Sequence, residues 1–187
     1  MRSEFSDGTV SIRPYREDDV QPLFDAVRES VDEAYPWLPW CRPEYTLEDS
    51  RTWVSTRAEA WEKGEEYAFV IADGQDHFLG GPGLNHIRQQ DGFGNLGYWV
   101  RTSCTGQGIA TRAVRLLARF GFEELGLGRI ELVAAVGNTA SQRVAEKAGA
   151  HREGVLRRRL CLHDEYHDAV MYSLIPKDLA LSDAEIS

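Results

Sequence analysis

The stretch Thr105-Gly106-Gln107-Gly108-Ile109-Ala110-Thr111 combines small residues with the entry to a helical run at 111–125. Such a loop presents backbone NH groups that the helix itself cannot pair, so it suits a phosphate or pyrophosphate. A nucleotide-triphosphate loop would need Gly-Lys-Ser or Gly-Lys-Thr at its end, and here Ile109 and Ala110 follow the second glycine. A literal G-x-G-x-x-G also occurs, Gly92-Phe93-Gly94-Asn95-Leu96-Gly97, but Tyr98-Trp99-Val100 follows it. A dinucleotide fingerprint opens a helix, so residues 92–97 read as a turn before a strand at 96–101.

About thirty residues on stands Asn138-Thr139-Ala140-Ser141-Gln142-Arg143-Val144-Ala145-Glu146-Lys147-Ala148-Gly149. Taken together, the two segments resemble the GNAT acetyltransferase superfamily. The first is similar to its pyrophosphate loop, Q/R-x-x-G-x-G/A, with Gly108 and Ala110 at the fourth and sixth positions and Thr105 where Gln or Arg is usual. The second is similar to the N-x-x-S-x-x-(V/L)-x-E-K-x-G segment of the RimJ/RimL branch. With Tyr98-Trp99-Val100 and Tyr166-His167-Asp168-Ala169-Val170-Met171-Tyr172, the likeness covers most of residues 8–174.

The resemblance implies an N-acetyltransferase that moves the acetyl group of acetyl-coenzyme A to a primary amine in a ternary complex, without a metal. The implied fold is an α+β sandwich: a mixed, mostly antiparallel twisted sheet, splayed in a V between two parallel central strands, with helices on both faces. The amides of Gly106, Gln107, Gly108, Ile109, Ala110 and Thr111, with the Thr111 hydroxyl, would take the pyrophosphate beside Thr105. The free edge of Tyr98, Trp99 and Val100 would pair with the pantetheine arm, and an amide near Val100 would polarise the thioester carbonyl. Asn138 and Lys147 are carried over as cofactor contacts. Ser141 stands where the branch places a hydroxyl close to the coenzyme sulfur, as donor to the leaving thiolate. Its alternative role is to cap the helix that starts near Thr139, for which Thr139 itself is the better candidate.

The branch also expects a glutamate on the strand after that helix, and this chain has Leu160 there. Replacement bases are Glu66, His86 and the cluster His163, Asp164, Glu165 and His167. A water chain to solvent serves equally, because an α-amino group with a pKa of roughly 8 needs little help. Trp37, Trp40, Trp53 and Trp61 either line an acceptor pocket or fill a core. Arg157-Arg158-Arg159 would alternate faces along a strand as a solvated or dimer-contacting face, or touch an acidic group. Glu17, Asp18, Glu123 and Glu124 read as ordinary helix charges.

These residues need a scaffold, and the chain has 187 residues, enough for one domain with a core at about 8–175 and a tail at 176–187. A net charge of −9 argues against a nucleic-acid backbone as partner and tolerates a cationic amine. Cys41, Cys104 and Cys161 are odd in number and widely spaced, which supports neither a disulfide framework nor a zinc site and fits a reducing cytoplasm. No apolar run approaches the roughly 18 residues of a membrane span, and none suggests export.

Periodicity predicts strands at 10–14, 67–72, 78–87, 96–101, 129–136, 155–162 and 166–174. Helices are expected from residue 16 to about 31, from near 47 with Trp53 and Trp61, at 111–125, and from 139 to 148 before Gly149. The proline-rich turn at 36–43 is a candidate substrate wall, and the last dozen residues read as a frayed tail. The branch suggests a protein N-terminus, including that of a ribosomal protein, as acceptor; small amines and antibiotics are the alternatives. It also suggests a homodimer. The missing glutamate and Thr105 motivate a different reading, a non-catalytic coenzyme-A-binding sensor or scaffold.

Overall fold

The computed structural model describes residues 1–183. In chain order the elements are β1 (Phe5–Ser6), β2 (Ser11–Pro14), a 3₁₀ turn (Glu17–Asp19), α1 (Val20–Ala34), α2 (Leu47–Lys63), β3 (Tyr67–Ala72), β4 (Phe78–Arg88) and β5 (Phe93–Val100). A second 3₁₀ turn (Thr102–Cys104) leads to α3 (Ile109–Glu123), β6 (Arg129–Ala135), α4 (Thr139–Lys147), β7 (His151–Leu162), β8 (Glu165–Leu174) and α5 (Pro176–Asp183). The strands form one sheet in the order β1-β2-β3-β4-β5-β6-β8-β7. All neighbouring pairs are antiparallel except β5 and β6, which run parallel.

Alternation along β3 decides which helix covers which face. Tyr67, Phe69 and Ile71 join the cluster beneath α3, whereas Val70 and Ala72 join the cluster beneath α1 and α2. Every β3 residue is buried, as a strand covered on both faces requires. Phe120 of α3 anchors the first cluster, with Phe69 at 4.9 Å, Tyr67 at 5.4 Å, Trp61 at 5.7 Å and Phe5 at 6.0 Å between ring centroids.

The feature that positions the site is the short β5/β6 pairing. Only Phe93↔Arg129, Gly94↔Ile130 and Asn95↔Glu131 are in register. Beyond them β6 follows β8, from Leu132↔Tyr172 to Ala135↔Ala169, while β5 follows β4, from Leu96↔Leu84 to Val100↔Gly80. Residues 96–100 of β5 therefore have an edge without a β6 partner, and the sheet opens there.

Several boundaries differ from the sequence expectation. β5 starts at Phe93, so Gly94 and Gly97 lie inside the strand rather than in a turn. A Cβ at Gly94 would stand 3.3 Å from Leu127 Cδ1, and the missing side chain lets the strand pack closely. Only Gly92 keeps the turn role, with φ 67° and its carbonyl accepting from the Gly128 and Arg129 amides. α3 begins at Ile109, two residues early, and α1 continues to Ala34. The expected acidic helix start is a 3₁₀ turn whose Asp19 carboxylate is buried and gripped by Arg13 at 2.8 and 2.9 Å.

β7 starts at His151, and its register shifts between Leu156 and Leu160. Arg158 sits in that bulge at φ 49°, its amide donating to Asp168 Oδ1, so the arginine triplet does not alternate as a regular strand would. The expected tail holds helix α5, and Leu179 joins the core; residues 184–187 of that expectation lie outside the described residues. β1 was not foreseen because two residues are too few to show a period.

Candidate active site

Three parts converge around the opening in the sheet. The first is the loop before α3. Gly106 and Gly108 adopt φ 75° and 78°, and Gly108 is the N-cap without a side-chain bond. Among the described residues the amides from Gly106 to Thr111 carry no partner, and no acidic residue stands in the first turn of α3. Unpaired amides at a helix N-terminus fit an anionic pyrophosphate. Thr105 does not extend this cradle with a donor: its hydroxyl donates to the Thr102 carbonyl at 2.9 Å, closing the preceding turn. Gln107 likewise spends its amide nitrogen on the Ser103 carbonyl, leaving its backbone NH for an anion.

α1 fixes the entry to that loop. Glu29 accepts from Arg101 Nε at 3.0 Å and from the Ser103 amide at 2.7 Å, and buried Ser30 Oγ accepts from the Thr102 amide at 3.0 Å. The Arg101 guanidinium, helped by the Ser103 amide, outweighs burial and holds the Glu29 carboxyl down at about 2, against an ordinary 4.5. A carboxyl depressed in the folded state anchors fully above its ordinary value and lets go as pH falls toward about 2. The loop's affinity for an anionic donor is therefore expected to be independent of this anchor from pH 8 down to pH 5. Glu29→Gln should weaken that donor's binding about three- to tenfold, measured by calorimetric titration with the coenzyme that the sequence resemblance implies. An unchanged affinity would show that the loop holds its shape without α1.

The second part is a pair of hydroxyls across the opening. Tyr98 Oη on β5 lies 2.9 Å from Ser141 Oγ on α4 and 3.4 Å from the Ser141 carbonyl. Burial pushes the Tyr98 phenol up to about 12, against the lowering effect of Ser141, so it stays protonated through the physiological range. The helix start differs from expectation: Asn138, not Thr139 or Ser141, is the N-cap, its Oδ1 accepting from the Ser141 amide at 3.0 Å. Asn138 thus commits its oxygen to the helix and keeps its Nδ2 for another acceptor. Capping does not occupy the Ser141 hydroxyl. Lys147 is exposed at the far end of α4, about 9 Å along the axis from Ser141, and nothing here brings it to the loop or the hydroxyl pair.

The third part is a cavity of about 560 Å³ between α1, α2 and the β4–β5 surface. Tyr15, Trp40, Tyr45, Trp53, Tyr98 and Trp99 line it, with Gly81, Pro82 and Gly83 on β4. A Cβ at Gly81 would stand 2.7 Å from Tyr15 Oη and 3.1 Å from Trp99 Nε1, so that position must be glycine for both rings to reach over the strand. The Gly80-Gly81-Pro82-Gly83 run was the overlooked sequence signal, since glycines inside a strand mark close approach. Tyr15, Tyr45 and the Tyr98 side chain were missed because lone tyrosines carry no local signature.

The structure separates the candidate bases. Glu66 lines the cavity; Arg57 Nη1 binds its Oε2 at 2.6 Å, and its Oε1 carries no hydrogen bond among the described residues. His86 is exposed at the β4 bulge with φ 49° and does not line the cavity. His163 and Asp164 form the β7–β8 turn at φ 50° and 65°, where His163 stacks on Tyr35 and its Nε2 meets the Tyr35 carbonyl. Glu165 and His167 follow on β8, His167 opposite Leu160, and none of these lines the cavity. Trp40 and Trp53 are cavity walls, Trp61 belongs to the core, and Trp37 packs against Gly137.

A mixed sheet opened beside an amide-lined helix start, with a cavity behind the opening, has room for a phosphorylated donor and for a second molecule beside it. The chain belongs to the acetyltransferase (GNAT) domain family, which matches residues 9–151. It is 31% identical over 176 residues to the probable N-acetyltransferase YjcK of Bacillus subtilis, covering 91% of this chain and 96% of that protein. It is 26% identical to the ribosomal-protein-serine acetyltransferase of Escherichia coli, covering 89% and 93%. Among solved structures, RimL, a ribosomal-protein α-N-acetyltransferase in complex with coenzyme A, superposes with a TM-score of 0.80 at 26% identity, covering 89% of this chain and 94% of that one. These likenesses place the chain in the RimJ/RimL-like branch.

Proposed function

We propose that this acetyltransferase moves the acetyl group of acetyl-coenzyme A directly to a primary amine held in the 560 Å³ cavity. The observation that carries the reading is the place of Tyr98, which lines the cavity on one side and bonds Ser141 at 2.9 Å on the other. The loop amides of residues 106–111 hold the pyrophosphate, and the open edge of residues 98–100 pairs with the pantetheine arm. The amine nitrogen forms a bond to the thioester carbonyl carbon and the carbon–sulfur bond breaks. Ser141, backed by the Tyr98 phenol, gives a proton to the departing sulfur, Glu66 Oε1 receives the proton lost by the amine, and exchange through solvent returns a proton from Glu66 to the hydroxyl pair.

The relatives named for ribosomal proteins support a protein N-terminal amine as the acceptor. The three cysteines are all free, which supports a reducing cytoplasm. β7 is an edge strand with Val155 and Leu156 exposed and Tyr166 beside it on β8, which supports pairing of two copies. Light scattering should then give about twice the 21.1 kDa chain mass, and a monomer would remove the dimer without touching the chemistry. The transfer itself is tested by thiol release from acetyl-coenzyme A across an amine panel, with calorimetry of acetyl-coenzyme A binding alongside. Binding without thiol release from any amine would leave a sensor in place of an enzyme.

A further inference from the structure

The acceptor cavity has a property that narrows its ligand, and the argument rests on the transfer reading above. Four charged residues line it, Arg42, Asp49, Arg57 and Glu66, and they are already matched with one another. Arg42 Nη2 meets Asp49 Oδ1 at 2.8 Å, and Arg57 Nη1 meets Glu66 Oε2 at 2.6 Å. The other Asp49 oxygen is taken by the amide and hydroxyl of Thr46 at the start of α2, both at 2.8 Å. Arg57 also donates to the Trp53 carbonyl and stacks 3.7 Å from the Trp53 ring centroid. One charged acceptor atom stays open among the described residues, Glu66 Oε1.

Such a lining can seat one amine, at Glu66 Oε1 near Gly83, and offers no second open carboxylate oxygen to a further ammonium group. Any further ammonium group of a polycation that entered the cavity would be desolvated without a partner, which is costly. The remaining wall is aromatic. Trp40 meets Trp99 edge-on at 5.5 Å and Tyr45 at 6.2 Å, and Tyr15 meets Trp53 at 6.3 Å. Tyr15 Oη and Trp99 Nε1 already cover Gly81, so the surface that a flat group meets is the aromatic wall itself. At 560 Å³ the cavity is of the size that holds a drug-sized ligand, so a serine or alanine side chain would leave most of it to water.

We infer that the acceptor carries an uncharged aromatic ring close to its single reactive amine, either as the first residue of a peptide or as a free arylalkylamine. Ring burial among aromatic walls supplies the selectivity, and Glu66 Oε1 takes the amine.

The test is thiol release from acetyl-coenzyme A with peptides identical except for a first residue of Phe, Trp, Ser, Ala, Glu or Lys, together with phenethylamine, spermidine and kanamycin. The expected result is a kcat/KM for the Phe and Trp peptides at least about tenfold above the Ser and Ala peptides, with spermidine and kanamycin lowest. Phenethylamine as good as the Phe peptide assigns a small-molecule acceptor; a Phe peptide far better than phenethylamine assigns a peptide. Trp40→Ala should erase most of the aromatic preference while KM for acetyl-coenzyme A stays at the wild-type value. Arg42→Ala should free Asp49 and raise kcat/KM for spermidine severalfold, an effect that simple loss of structure would not produce. Equal or better turnover of Ser or Ala peptides, or a preference for spermidine, overturns the inference and leaves acetyl transfer standing. No turnover of any amine by a protein that binds acetyl-coenzyme A overturns both.

Discussion

Ser141→Ala lowers kcat by about 100-fold and leaves KM for acetyl-coenzyme A within about twofold of wild type, if the hydroxyl pair protonates the leaving sulfur. The variant keeps the helix start, because the cap runs through Asn138 Oδ1 and the Ser141 amide, neither of which is changed. Tyr98→Phe keeps the ring in its packing and removes only the phenol that bonds Ser141 at 2.9 Å. The two bonded hydroxyls act as one relay to the sulfur, and losing either one breaks it. The double variant should therefore fall by less than the product of the two single losses, within the factor of about 10²–10⁴ that general acid catalysis supplies.

The pH dependence follows from the direction of the Tyr98 shift. With its phenol raised to about 12, the donor stays protonated and supplies no alkaline fall in rate between pH 8 and 10. The rate should climb as the acceptor amine deprotonates, near roughly 8 for an α-amino group, and then stay level. Stopped-assay kinetics on the three variants measure all of this together. Wild-type kcat in Ser141→Ala would reduce Ser141 to a structural residue of α4.

Gly108→Glu should weaken acetyl-coenzyme A binding by about 100-fold or more, read by calorimetric titration. Two effects act in the same direction. Gly108 sits at φ 78°, a conformation that costs a side-chain-bearing residue about 1–2 kcal/mol. The new carboxylate also stands at the helix start where the amides of residues 106–111 are open to an anion, and it repels the pyrophosphate. Gly108→Ala separates them, since a Cβ there meets nothing within 4 Å and brings strain without charge. It should lose less affinity than Gly108→Glu, and the difference should shrink as salt is raised. Equal affinity in Gly108→Glu and wild type would remove the loop from the cofactor site.

The elements of the candidate donor site were legible because their signals are local. Gly106 and Gly108 announce left-handed backbone before a helix, which begins at Ile109, two residues early, and the helix expected from near Thr139 starts there, with Asn138 as its cap in place of Thr139. The β5/β6 opening was legible only through the family resemblance, since nothing within either strand says where pairing stops. The hydroxyl pair escaped notice because Tyr98 and Ser141 are 43 positions apart and meet only across the opened sheet. The acceptor cavity escaped for the same reason. Its walls come from Tyr15 just after β2, α1 and the loop after it, α2, β3, β4 and β5, and only the register of β4 against β5 brings Gly81 opposite Trp99. His86 stands away from the cavity on a detail of backbone, a bulge between Asn85 and Arg88 that leaves it exposed.

If the opening between β5 and β6 delivers an acetyl group to an amine in the neighbouring cavity, coenzyme A thiol and acetylated amine must appear together. Both are followed in the same reaction, with acetyl-coenzyme A and a Phe-initiated peptide. One thiol released per amide formed is expected, at a rate that Ser141→Ala lowers and Gly108→Glu lowers at subsaturating acetyl-coenzyme A. Tight acetyl-coenzyme A binding with neither thiol nor amide formed, across every amine offered, would contradict it.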